Sequence, residues 1–321
     1  MTDIGAKPPQ QANGPARGAM TAGERPSAGV HVALLVTQVA FGALSVEGKL
    51  AMGERFRVDP SALAMARIVG GFAAFAVLMA LTRQPLVRSL RDHGSLAGLS
   101  LLGVVINQAF FLHGLKHTSP LSATLLVATI PVFAAAISVV LGHERVTARM
   151  AIGLAVALLG IGILTGFGLP ALGDLLVLIN SLAYSLYLAL APTQLARHGA
   201  TVVVTYAFGF GVLFMAPVGG PALVHGAITW SPGAWALVGF VVLVPTVLAY
   251  LSNAWALARA RPSLVAVYVY LQPLIVAMLA WEQLGLAPSR RIVLAAAAIL
   301  AGVAIVTSPA WTRRRTLFRG E

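Results

Sequence analysis

Ten stretches of roughly twenty apolar residues follow one another from Val30 to Pro309, with only short polar breaks between them. Coiled as an α-helix at about 1.5 Å per residue, each is long enough to cross a hydrocarbon core about 30 Å thick. Backbone groups find no water there, so a crossing segment must satisfy its own hydrogen bonds as a helix. A soluble chain of 321 residues would instead alternate amphipathic elements with polar loops. The pattern predicts an all-α membrane protein of ten transmembrane helices, at about 31–51, 60–81, 95–114, 120–141, 149–168, 173–193, 201–223, 233–257, 263–284 and 290–309.

Composition and charge exclude several function classes. Only 10% of residues are charged, against about 25% in globular chains. Cysteine is absent, which removes disulfide frameworks and Cys-based metal centres. The seven histidines are scattered, so no metal site or cofactor is expected. A net charge of +12 could suggest nucleic acid, but the basic residues sit between apolar spans, where they orient a membrane protein. With the N-terminus inside, fifteen Lys and Arg fall on the inner side. Six fall outside: Lys49, Arg55, Arg57, Lys116, Arg290 and Arg291. That bias predicts cytoplasmic termini. Trp230, Trp235, Trp255, Trp281 and Trp311 fall near the expected interfaces. Residues 1–29 read as a disordered cytoplasmic tail without the apolar core of a signal peptide, and 310–321 as a basic cytoplasmic tail.

The fourth and ninth spans resemble each other. Each carries a proline near its middle, Pro131 and Pro273, and each precedes a span rich in Gly and Ala. This predicts two five-helix repeats, 30–168 and 171–309. An odd number of spans per repeat forces the two into opposite orientation. Inverted repeats are a mark of transporters that alternate access about a central site.

Several phrases carry a family resemblance. FGALSVEGKLAM holds Gly42 and Lys49, ALAMARIVGG holds Arg67, and GLKHTSPLSATLLVATIPVFAAAISVVLGHERVT ends on Gly142, Glu144 and Arg145. GDLLVLINSLAYSLYL, YLQPLIVAMLAW and ILAGVAIV follow in the second half. Together they resemble the EamA-type, ten-helix members of the drug/metabolite transporter superfamily. Departures from the family pattern are Phe41 for Trp, Leu44 for Asn, Glu47 at a usually small or apolar position, and Leu286 for Glu, with Glu282 one turn earlier.

A carrier of polar solutes needs polar side chains lining a cavity near the midplane. Gln38, Gly42, Ser45 and Lys49 share one helix face, as do Asn180, Tyr184 and Tyr187 in the sixth span. Thr246, Tyr250 and Asn253 share a face in the eighth, and Tyr268 and Gln272 in the ninth. The expected substrate cavity is Gln38, Ser45, Asn107, Tyr184, Tyr187, Tyr250, Asn253, Tyr268 and Gln272. The alternative reading is interhelical hydrogen bonding, worth about 0.6 kcal/mol per contact. Pro131 and Pro273 are expected to break their helices. Glu47 and Arg67 lie at similar depth and are expected to pair, as a structural clamp or an outer gate. Glu144 is expected at a cytoplasmic helix end beside Arg145 and Arg149.

No Walker motif, His-Glu-x-x-His or Gly-x-Ser-x-Gly is present. The resemblance and these absences predict a secondary transporter of the inner membrane, not an enzyme. It would export a small metabolite such as an amino acid, or a drug-like compound. An uptake permease or facilitator of the same fold, and an intramembrane enzyme, are the competing readings. The expected partners are the small-molecule substrate, the lipid bilayer and a proton or other coupling ion, in a monomer or homodimer, with no nucleic acid.

Overall fold

The computed structural model describes residues 27–140, 148–260, 264–265 and 268–307. Gly142, Glu144, Arg145, Arg261, Pro262 and both tails beyond 27 and 307 lie outside them. The described residues form helices and connecting turns, without strands. We label the helices α1 (Ala28–Met52), α2 (Pro60–Leu81), α3 (Leu90–His117), α4 (Pro120–Val127) and α5 (Ile130–Val140), then α6 (Ala148–Thr165), α7 (Leu172–Thr229), α8 (Pro232–Leu257), α9 (Leu271–Leu284) and α10 (Arg290–Thr307). Six described helical stretches are long and apolar enough to cross a membrane. One of them, α7, is a 58-residue element kinked at Gly199, whose φ of 78° only glycine adopts readily.

Helix starts at one end of the bundle share a chemistry. Asp59, Ser119 and Ser231 each precede a proline, and each side chain accepts a hydrogen bond from a backbone N–H of the first turn. Such a cap stabilises a helix by about 1 kcal/mol, and proline at the first position forfeits no bond. Lys49 secures the same end. Its Nζ donates to the carbonyls of Leu115, Lys116 and Thr118 at 2.9, 3.0 and 2.8 Å, placing a cation on the negative pole of α3. Thr118 donates to Asp174 at the start of α7. At the opposite end, Asp92 accepts from Gln194 and from Arg197, tying α3 to α7 just before its kink.

Two irregularities recur at a fixed interval. In α3 the segment Leu101–Ile106 is a π-helix, and in α8 so is Leu243–Leu248. Both begin eleven residues after their helix starts, at Leu90 and Pro232. Leu243 follows Leu101 by 142 residues, and so does Pro273 follow Pro131. In the second π-helix, Pro245 lacks the N–H that would bond Val241, and the Thr246 hydroxyl donates to that carbonyl instead, at 2.9 Å. Helix α4 ends at Val127, and Ala128 and Thr129 form a turn before Pro131. The turn Val269–Tyr270 interrupts the second half near Pro273, one residue further from its proline. Ser181 and Ser185 of α7 donate to the carbonyls of Leu126 and Ile130, satisfying backbone groups at the first interruption.

Helices α2 and the second limb of α7 pack along their length in opposite directions. Gly219 lies on Met65, Gly211 on Ile68, Gly71 on Phe208, and Thr205 donates to the Phe75 carbonyl. Helices α6 and α10 approach closely through small residues. Gly160 lies on Ile299 and Ala295, and Gly302 on Ala157 and Gly153. Gly302 is the residue 142 positions after Gly160, as Ile299 is after Ala157 and Ala295 after Gly153. This reciprocity is the mark of a two-fold interface.

Candidate functional site

A cavity between the halves encloses about 580 Å³ of empty space, open solvent at its mouth included. Eight of its fourteen lining residues fall into pairs 142 positions apart: Gln38 and Asn180, Phe111 and Asn253, Val127 and Val269, Ile130 and Gln272. The cavity therefore lies where equivalent surfaces of the two halves meet. Two of those pairs come from the helix interruptions, which bring Val127, Ile130, Val269 and Gln272 to the wall.

Its polar groups are bonded to one another, across the halves except for the Asn253–Tyr184 pair. Gln272 Nε2 donates to Gln38 Oε1 at 2.6 Å, and Asn253 Nδ2 to the Tyr184 hydroxyl at 2.9 Å. Asn180 Nδ2 donates to the Asn107 carbonyl at 2.8 Å. The Tyr250 hydroxyl, buried behind the wall, lies 2.9 Å from Asn107 Oδ1 and 3.1 Å from the Gly103 carbonyl. Both acceptors belong to the first π-helix or its following residue. A π-turn offsets the usual bonding, and such turns gather at functional sites. Phe41 and Phe208 meet the Tyr250 ring edge-on.

The sequence-predicted residues divide. Gln38, Asn107, Tyr184, Asn253 and Gln272 line the cavity, and so does Arg67. Ser45, Tyr187, Tyr250 and Tyr268 do not. Ser45 accepts from Thr124 within the packing. The Tyr187 ring stacks on Tyr184 and covers Gly103. Tyr268 bonds His31 at the start of α1. Pro131 and Pro273 are buried beside the interruptions rather than in the wall.

The expected Glu47–Arg67 pair does not form. Arg67 is 2% exposed. Its Nε donates to Thr246 Oγ1 at 2.9 Å, and Nη2 approaches the Pro245 carbonyl at 3.4 Å, both in the second π-helix. Among the described residues Asp92 forms an ion pair with Arg197 at 2.9 Å, and His198 Nε2 lies 3.3 Å from its other oxygen. Glu47 is only half-buried and has no such partner. Equal depth along two helices does not make two side chains face each other, and these rotate apart.

Sequence reasoning missed the apolar wall: Phe41, Leu44, Phe111, Val127, Ile130, Val265 and Val269. In an apolar span such residues carry no distinguishing signal. It also missed Gln108, fully buried beside Tyr250, which was legible as the second amide of the mid-span pair Asn107-Gln108.

Comparison with known proteins adds a second line of observation. The model of the EamA-like transporter family matches residues 29–166 and 171–308, again 142 positions apart. An uncharacterized transporter of Archaeoglobus fulgidus is 28% identical over 66% of this chain and 75% of its own length. A protein of Streptantibioticus cattleyicolor named "probable terminal-alkyne amino-acid exporter" is 28% identical over 70% of this chain and 76% of its own. An uncharacterized transporter of Bacillus subtilis is 26% identical over 76% and 80%. A solved crystal structure shares the fold at a TM-score of 0.60 and 18% identity, covering 87% of this chain and 96% of that one.

Proposed function

Because the chain belongs to the EamA-like transporter family, as a multi-pass membrane protein, we propose that it is a secondary transporter of the inner membrane that exports a small metabolite by alternating access. The observation that carries this reading is the cavity walled by equivalent positions of two halves. A site on the axis between repeats can be offered to either side by rocking one half against the other. The ten-span architecture takes α4 with α5 as one broken span, α7 as two spans meeting at Gly199, and the turn Val269–Tyr270 with α9 as part of another broken one. Inversion of the repeats is supported by α2 and the second limb of α7, equivalent at an interval of 142, which pack head to tail. An amino acid or similar solute is favoured by a wall that combines apolar side chains with amide, hydroxyl and guanidinium groups, and by the name of the Streptantibioticus relative.

The test is efflux of labelled amino acids and nucleosides from liposomes holding the purified chain, with and without a proton gradient. No movement of any solute from liposomes containing folded protein would sink the proposal.

Orientation has its own prediction. The chain contains no cysteine, so single cysteines can be read without background. Ser89 and Ser231 cap helices, which makes them poor positions. Gln84 and Gln283 are exposed at opposite ends. An impermeant maleimide applied to intact cells should label Gln283→Cys and spare Gln84→Cys. The reverse pattern would invert the topology.

A further inference from the structure

Arg67 is the one charged residue in the cavity wall, and the two halves do not share it. Its counterpart 142 positions on is Gly209, which lies on the Phe72 ring. The charge is therefore an addition to the repeated scaffold. No Asp or Glu lines the cavity, and Arg67 makes no ion pair among the described residues. A guanidinium has five N–H donors. Here Nε is taken by Thr246 and one Nη2 donor by Pro245, while Nη1 has no hydrogen-bond partner among the described residues. The second π-helix thus holds one edge of the guanidinium and leaves the other toward the cavity. A buried cation without a countercharge is costly, and an entering anion removes that cost.

We infer that Arg67 is the anchor for a carboxylate of the transported solute, so that the substrate class is a small carboxylate with an apolar side chain. The inference rests on the transporter reading. A planar carboxylate can accept from Nη1 and Nη2 together, the fork geometry that arginine supplies and lysine does not. The rest of the wall matches an apolar body: Phe41, Leu44, Phe111, Val127, Ile130 and Val269. The Gln38–Gln272 and Asn253–Tyr184 pairs leave amide and hydroxyl groups for a further polar substituent, such as an amine.

The experiment compares solutes that differ only at the acid. L-Leucine, L-phenylalanine and 4-methylpentanoate are set against L-leucinamide, L-phenylalaninamide and 3-methylbutylamine. Each is measured twice on the full-length chain: as thermal stabilisation in detergent, and as transport in liposomes. Acids should raise the melting temperature and be carried, with at least a tenfold poorer apparent affinity for amides and amines. Arg67→Gln should erase that preference, and Arg67→Lys should retain it with weakened affinity. If the amide or amine is bound and carried as well as the acid, the carboxylate anchor is overturned while transport stands. If acids stabilise the chain through Arg67 but no solute crosses, the anchor stands and transport falls. If no acid either stabilises the chain or crosses, the anchor is overturned. The acid–amide comparison uses the wild-type chain, so it decides the matter even if Arg67→Gln fails to fold.

Discussion

Gly302→Val is expected to lower the melting temperature and folded yield sharply. A Cβ at Gly302 would stand 2.5 Å from the Ala157 nitrogen, 2.6 Å from the Gly153 carbonyl oxygen and 2.9 Å from the Ala157 Cα. All three are backbone atoms of α6 and cannot swing aside. The equivalent change at Gly160 meets the Ile299 nitrogen at 2.7 Å and the Ala295 carbonyl oxygen at 3.1 Å. Each substitution must push α10 off α6. Overpacking of a fitted core costs about 1–3 kcal/mol, and a β-branched side chain against backbone belongs at the top of that range. Packing, rather than hydrophobic attraction, holds helices together in lipid, so the pair has little to fall back on. Gly98→Ala is the control. Nothing lies within 4 Å of its would-be Cβ, and alanine in place of a helical glycine stabilises by up to about 1 kcal/mol. Monodisperse yield and melting temperature distinguish the two. A Gly302→Val protein that melts like wild type would mean that α6 and α10 do not pack as described.

Gln272→Ala and Tyr184→Phe should do the opposite, lowering transport by about tenfold or more while leaving melting close to wild type. Each removes one half of a hydrogen-bonded pair in the cavity wall, Gln272 with Gln38 and Tyr184 with Asn253. The partner left behind faces the cavity, so the stability lost is about 1 kcal/mol. The solute, however, meets an altered set of donors and acceptors. Tyr206→Phe provides the contrast. The Tyr206 hydroxyl accepts from the Val87 N–H at 3.1 Å in the turn between α2 and α3, away from the cavity. Its loss should reduce stability and spare transport. If the two cavity variants carry solute at wild-type rate and affinity, the cavity is not the transport site.

The membrane class, the approximate span positions, the two prolines at equivalent places and the charge bias are all properties of local composition. They follow from the cost of placing polar backbone and charge in hydrocarbon, which is the same whatever the helices touch. What composition leaves open is how each helix is rotated. In a soluble protein the apolar stripe identifies the buried face. Here the bilayer is as apolar as the core: Val32, Leu35 and Val39 of α1 are exposed while Val30 and Leu34 are buried. Hence Tyr184 lines the cavity and Tyr187, three residues later, packs behind it. Hence also Arg67 turns to the π-helix of α8 rather than to Glu47, although depth along the helices favoured the carboxylate. The π-helices compound the difficulty, since a widened turn shifts every later side chain around the axis, and Leu101–Ile106 shows no proline to announce it. Local composition thus carries the membrane class and the repeat of the pattern. Only the tertiary contacts decided which faces meet across the repeat, because in an apolar solvent the rotation of a helix is set by close packing and hydrogen bonds, not by hydrophobicity.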